Sequence, residues 1–325
     1  PRESQIQNGY KAFASDPGWE KCLLFAKSFN FAAQKVFGKR FIYLDANVDY
    51  WSTYSFRQLA EKNDAKFFVL SKEIPLTEAP QRMYREDFSG FRFGGTGIFC
   101  ASPWLARFFR ANLVAPGRVL ETGLPRFDKY LVGSKSQEAQ RGILWFTFLD
   151  GYGLSNSTDS MKVLDLTMAA SKKVGIPLTI KAKNSADVAL HKSLALKQID
   201  NHLSTTQKLH ELFLKNHLVV GLNSLAIIES LLAKVFVIVP QFLNTSDSAY
   251  NFFSSSEHDP ESGLYIAQSE AEYGRLLEEL ESRSPSELFG PDAMARRFLL
   301  VSRFVSVSLS MTASDKITSE LQRAI

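Results

Sequence analysis

Short apolar runs alternate along this chain with stretches of helical periodicity, and they do so twice. That alternation is the signature of βαβ units, which close into mostly parallel sheets because each crossover helix must pack back onto a sheet face. In the first half the pattern predicts strands at residues 41–45, 66–70, 97–101 and 118–122, with helices at 19–37, 55–62 and 103–112. In the second half it predicts strands at 142–148, 178–181, 218–220, 235–239 and 263–266. The helices there fall at 158–174, 206–215, 224–234 and 270–282, and a long last one starts at Asp292. The polar stretch 133–141 separates the two periodic halves. The fold class expected is therefore α/β with two Rossmann-like domains. Their limits are residues 1–135 and 136–292, and residues 293–325 form a C-terminal helix.

At 325 residues and 45% hydrophobic content the chain can bury two cores of ordinary size. Its net charge of +4 comes from cations spread along the sequence, which points away from nucleic acid as a partner. Two cysteines, Cys22 and Cys100, lie in apolar stretches, which suits a reducing cytoplasm better than a disulfide framework. No apolar run is long enough to span a bilayer, and the polar start is not a secretion signal. The first residue is Pro1, so the chain is expected to be a fragment with structure preceding it.

The most informative segment is GLNSLAIIESLLAKVFVIVPQF, residues 221–242. It reads as turn, helix and strand after the apolar run 217–220. Asn223 and Ser224 suit a helix N-cap, and Ile228, Leu231, Leu232 and Val235 recur at helical spacing. A helix start offers free N–H groups and a positive dipole end, so the backbone of Asn223, Ser224 and Leu225 is a candidate phosphate cradle. At about 1.5 Å of rise per residue, Glu229 lies within reach of a ribose on the same nucleotide. The competing reading makes Asn223 a plain cap and Glu229 a solvated side chain.

This run resembles the C-terminal donor-binding motif of GT-B glycosyltransferases, in particular the group of CDP-glycerol glycerophosphotransferases, capsule and lipopolysaccharide Kdo transferases, and UDP-N-acetylglucosamine 2-epimerases. Two further stretches resemble the same group in the same order. CASPWLARFFRANLV, residues 100–114, is similar to a strand-plus-helix of those enzymes, and PGRVLETGLPRFDKY, residues 116–130, to the Gly-x-Pro-Arg-x-Asp segment ending their first domain. The resemblance implies two parallel sheets facing a cleft, a nucleotide-activated donor and a glycan or lipid-linked glycan acceptor. It also implies no cofactor and no obligatory metal, and it puts Arg126 among the donor-binding residues.

The chain departs from the group at two places. Where relatives carry Lys-x-His-Pro it has Lys181-Ala182-Lys183-Asn184, so two lysines on one strand face stand in for the basic run. Where relatives carry a His-Gly pair it has Asp45-Ala46-Asn47-Val48-Asp49. Transfer to a hydroxyl needs a base, which makes Asp45 the first candidate and Asp49 the second. Asp150, in FLDGYGLSNSTD after a second-half strand, is a donor-side candidate with Gly151 and Gly153 beside it. A solvated strand end and a helix cap are the bland readings of these lysines and aspartates.

His202, His210 and His217 have no metal-ligand spacing, and Gly94-Gly95-Thr96-Gly97 precedes a strand, as an ordinary turn does. Met294, Phe298, Val301, Val305 and Leu309 recur by threes and fours, with Arg296, Arg297 and Arg303 on other sides. The resemblance implies that such a helix packs back on the first domain; its pattern alone also suits resting on anionic lipid at the inner face of the membrane. The expected function is transfer of a sugar or polyol phosphate onto a growing surface polysaccharide or lipopolysaccharide. A 2-epimerase-like sugar-nucleotide enzyme and a non-catalytic glycan- or nucleotide-binding module of a larger synthase are the alternatives.

Overall fold

Runs of β-branched and aromatic residues three to six long that alternate with helices suit a parallel sheet clad on both faces. The computed structural model shows this twice. It describes residues 17–38, 41–46, 66–72, 74–75, 77–87, 93, 95–112, 118–131, 140–147, 157–182, 201–204, 208–222, 224–243, 251–308 and 310–324. The chain divides into two units, Pro1–Val132 with Ser302–Ile325, and Gly133–Val301.

In the first unit the elements are α1 (Pro17–Phe37), β1 (Ile42–Ala46), β2 (Lys66–Ser71), α2 (Glu78–Asp87), β3 (Gly97–Cys100), α3 (Pro103–Asn112), β4 (Val119–Glu121) and α4 (Pro125–Leu131). Its four strands are all parallel, in the order β1-β2-β3-β4. The two-residue period of β2 divides its side chains between two cores. Phe67 and Val69 pack with Ile98, Tyr84, Leu105 and Phe109. Phe68 turns to the other face, stacks on Phe99 at 5.2 Å and meets Ile317 from the chain's last helix.

The second unit runs β5 (Ile143–Phe146), α5 (Ser157–Val174), β6 (Leu178–Lys181), β7 (Asn201–Ser204), α6 (Leu209–Lys215), β8 (Leu218–Val220), α7 (Leu225–Leu232), β9 (Phe236–Pro240), β10 (Leu264–Ala267), α8 (Glu270–Glu281) and α9 (Pro291–Ser302). Six parallel strands form one sheet in the order β10-β9-β8-β5-β6-β7. The residues of β5, β8, β9 and β10 are buried throughout, as expected of strands covered on both sides. Across the outer helices, Tyr273 of α8 and Thr167 of α5 join their hydroxyls at 2.6 Å in the core.

Where sequence and structure differ, the reasons are local. The helix expected over 224–234 stops at Leu232, because Lys234 takes φ 62 and turns its N–H to the Leu231 carbonyl at 3.2 Å. The single long helix expected from Asp292 is two helices, α9 and α10 (Ala313–Ala324). The start of α10 is held by Asp128 of α4, which accepts the N–H groups of Ala313 and Ser314, each at 2.9 Å. A carboxylate at a helix N-terminus satisfies free donors and complements the dipole. Gly123, at φ +84, lets this corner close, since a Cβ there would meet the Ser306 carbonyl oxygen at 2.2 Å. The expected helix at 55–62 lies outside the described residues.

Candidate functional site

The order of strands places the site. From β5 the chain adds β6 and β7 on one side, then returns to lay β8 on the other side of β5. At such a reversal the loops leaving β5 and β8 part in opposite directions, and the space above the carboxyl ends of the two strands is where open parallel sheets take their ligands.

Two elements bring chemistry to that edge, α7 and β6. After β8 the chain turns through Gly221 and Leu222 into α7. Gly221 is required there, because a Cβ would sit 2.5 Å from Ile227 Cδ1 and 3.0 Å from the Phe146 ring. The missing side chain brings the first turn of α7 close over the ends of β8 and β5. Ser224 is the N-cap, with extended backbone and an Oγ that accepts the Ala226 N–H at 3.2 Å. The helix therefore opens at the ligand edge of the sheet, with the positive end of its dipole there.

On the opposite flank of β5, Lys181 closes β6 in register with Phe146. Its side chain is half-buried, and burial lowers its pKa from the ordinary lysine value. A cation held partly out of water gains more from an incoming anion than a solvated one does. Lys181 and the Ser224–Leu225 helix start thus flank the end of the same strand from two sides.

Glu229 lies one turn into α7 and is only 1% exposed. That overturns the reading of Glu229 as a solvated side chain: α7 is buried from Ile227 through Leu232. The sequence suggests one apolar stripe, whereas the helix is enclosed on nearly all sides, so its one carboxylate is enclosed with it.

Asp45 and Arg126 belong to the other unit. Asp45 is at the carboxyl end of β1, one residue before the last, and its Oδ1 accepts the Ala46 N–H at 2.6 Å. Arg126 is exposed on α4, with its guanidinium 5.7 Å from the Phe127 ring centre. Asp49, Asp150, Lys183 and Asn223 lie outside the described residues.

Other chemistry-bearing side chains are structural. His217 is fully buried just before β8, where Nδ1 faces the Gly142 backbone at 3.1 Å and Nε2 faces the Leu280 carbonyl at 3.1 Å. Burial lowers its pKa. Cys100 is buried in β3, and burial pushes its thiol pKa far up, which makes it a poor nucleophile. Among the described residues no group of three His, Cys, Asp or Glu side chains could hold a metal ion. No described helix is long and apolar enough to cross a membrane. Gly221 and its contact with Phe146 are what sequence reading passed over; a glycine directly after an apolar strand and before a helix cap was the available signal.

Two all-parallel sheets, each wound with helices, define the architecture as α/β of the GT-B kind, with two Rossmann-like domains. Neither a family model nor a curated protein matches the sequence. Solved structures match the fold. A putative UDP-N-acetylglucosamine 2-epimerase from Listeria monocytogenes is similar over 92% of this chain and 78% of that one, with TM-score 0.56 and 10% identity. A single-residue variant of the wall teichoic acid polymerase TagF, soaked with CDPG, is similar over 90% of this chain and 85% of its own, with TM-score 0.54 and 12% identity. S. aureus MnaA with UDP is similar over 94% and 78%, with TM-score 0.50 and 12% identity. At these identities the likeness is one of fold.

Proposed function

We propose that the chain is a transferase of the GT-B kind that takes a nucleotide-activated donor and passes a sugar or polyol phosphate to a glycan or lipid-linked glycan acceptor. The observation carrying this reading is the capped start of α7 at the strand reversal beside Lys181. In this reading the donor diphosphate sits on the N–H groups of Ser224 and Leu225 with Asn223 beside them, and Lys181, joined by Lys183, neutralises the departing phosphate. Helix-end amides and ammonium groups aimed at a developing charge stabilise it without rearranging during the reaction. Glu229 receives the ribose hydroxyls, Asp150 and Arg126 complete the donor contacts, and Asp45, or Asp49 in its place, takes the acceptor proton. The bound ligands of the structural likenesses, UDP and CDPG, support a nucleoside diphosphate in this role. Surface polysaccharide or lipopolysaccharide synthesis in the cytoplasm is the setting that fits such a donor.

Calorimetric titration with CDP, UDP and GDP tests the donor site. One of them should bind, and Lys181→Ala should weaken it by about 1–3 kcal/mol. Glu229→Gln should weaken the whole nucleotide far more than inorganic phosphate. If no nucleoside diphosphate binds the folded chain, the reading fails. Product analysis separates it from an epimerase: a transferase frees nucleotide in step with glycan growth, whereas an epimerase leaves the sugar on its nucleotide. Asp45→Asn should cut turnover by roughly 100-fold while donor affinity stays intact.

A further inference from the structure

Beneath α9 the second unit encloses a guanidinium that it does not fully bond. Arg297 is 1% exposed, and its Nε donates to the Ser262 carbonyl. Nη1 and Nη2 are buried with no hydrogen-bond partner among the described residues. Four N–H donors thus lack an acceptor, on a side chain that almost never enters a protein interior unpaired. Gly263 makes the room for them. At φ +83 it has no side chain where a Cβ would meet Arg297 Nη2 at 2.8 Å and Leu288 Cδ1 at 2.9 Å.

A second cation stands beside the first. Lys234 lies in the turn from α7 into β9, and among the described residues it is the one non-glycine residue with positive φ, at 62. A lysine there carries backbone strain that a glycine would not, and such strain persists only where the surroundings impose it. Its Nζ is 5.3 Å from the Phe289 ring centre, in the 3₁₀ turn Pro285–Phe289 whose Leu288 borders the guanidinium. Burial and then the charge of Arg297 lower the Lys234 pKa, so the two cations act on each other. The carboxylates of the flanking segments are engaged by other cations. Glu261 faces Arg296 at 2.6 Å and Asp259 faces it at 3.8 Å, while Glu287 takes Arg283. Asp259 acts on Arg297 through its charge without a hydrogen bond to Nη1 or Nη2. Asp292, exposed at the start of α9, is more than one helical turn from Arg297.

A guanidinium with both outer nitrogens unbonded, next to an ammonium, matches the oxygens of a phosphate, and a partly dry setting strengthens the pairing. An anion between the two would supply the missing acceptors and remove the repulsion at once. We propose that Arg297 and Lys234 form a binding site for a phosphate-sized oxyanion at the amino ends of β9 and β10, with Lys234 as its half-buried outer member and Arg297 as its inner one. The donor edge lies at the other end of the same strands, about 16 Å away along the five residues of β9. The proposal therefore does not rest on the donor reading.

Calorimetric titration of the full chain with inorganic phosphate at constant ionic strength tests it. Phosphate should still bind to Lys181→Ala, which alters the donor edge, and should bind at least tenfold more weakly to Arg297→Met. Lys234→Gly removes the ammonium and suits the left-handed backbone, so it should fold and also lose at least tenfold. Where Arg297→Met does not fold by circular dichroism, Lys234→Gly decides. Affinity for a nucleoside diphosphate, read in parallel, should not change in Lys234→Gly, which separates this site from the donor site. No phosphate binding, or unchanged phosphate affinity in folded Lys234→Gly, would overturn the proposal. Loss of phosphate in Lys181→Ala alone would also overturn it, by placing the anion at the donor edge.

Discussion

The guanidinium of Arg297 is 1% exposed. Its Nε donates to the Ser262 carbonyl, while neither Nη1 nor Nη2 has an acceptor among the described residues. Burial lowers its pKa to about 9, only partly opposed by the charge of Asp259. A cation whose folded pKa lies below its unfolded value favours the unfolded chain at every pH below the folded value. That penalty fades as pH rises from about 9 toward the unfolded value. Arg297→Met keeps the length and removes the charge, so it should stabilise the second unit by about 1–4 kcal/mol at pH 7. Urea unfolding at pH 7 and at pH 10 checks both parts: the gain should shrink at the higher pH, and a destabilised variant at pH 7 would refute the argument. The buried stripe of α9 is Ala293, Arg297 and Val301. Sequence reading placed Arg297 outside because its partner, the Ser262 carbonyl, is 35 residues away and leaves no periodic trace.

Elements with strong period were legible, and elements shaped by tertiary partners were not. The second-half strands at 178–181 and 218–220 and the helix at 103–112 fall where the apolar pattern puts them. Helix α2 was missed because its sequence, EAPQRMYRED, is polar apart from the few side chains it buries. Helix α4 follows a proline and spans only Pro125–Leu131, too short for periodicity to show. His217 shows the same dependence on partners from elsewhere. In its neutral form Nδ1 accepts the Gly142 N–H and Nε2–H donates to the Leu280 carbonyl, which ties the start of β5 to the end of α8 through the base of β8. Because burial lowers its pKa from 6.5, its stabilising effect is fully present above about pH 6.5. It is lost as pH falls through the lower folded value, where only the unfolded chain gains a proton readily. His217→Gln can keep one donor and one acceptor without titrating. Its unfolding free energy should therefore vary less as pH falls below 6.5 than that of the parent. Parallel slopes for the two proteins would remove His217 from the account.

At the scale of the molecule, the chain builds the second unit from one continuous stretch and the first from two. The second sheet draws all six strands and its covering helices from Gly133–Val301, so nothing from either end of the chain is needed to complete it. The first sheet is different. One face, carrying Phe68 and Phe99, is packed by Ile317 and Leu321 of α10, and α10 is anchored by Asp128 through two backbone N–H groups. Without that helix the face would lie open to water, and an exposed apolar sheet face of this kind promotes association. Apart from Arg126, the donor contacts proposed above come from the continuous unit. A chain of residues 133–301 should therefore unfold in a single cooperative transition and retain most of the parent's affinity for a nucleoside diphosphate. Trp145, buried in β5, is the single tryptophan in that stretch and reports the transition by fluorescence without interference. Residues 1–132 alone should associate, and supplying residues 302–325 on the same chain through a short linker should restore a soluble form. A 133–301 chain that folds and binds no nucleotide would move the donor contacts to the first unit; one that fails to fold would show that the units depend on each other for stability.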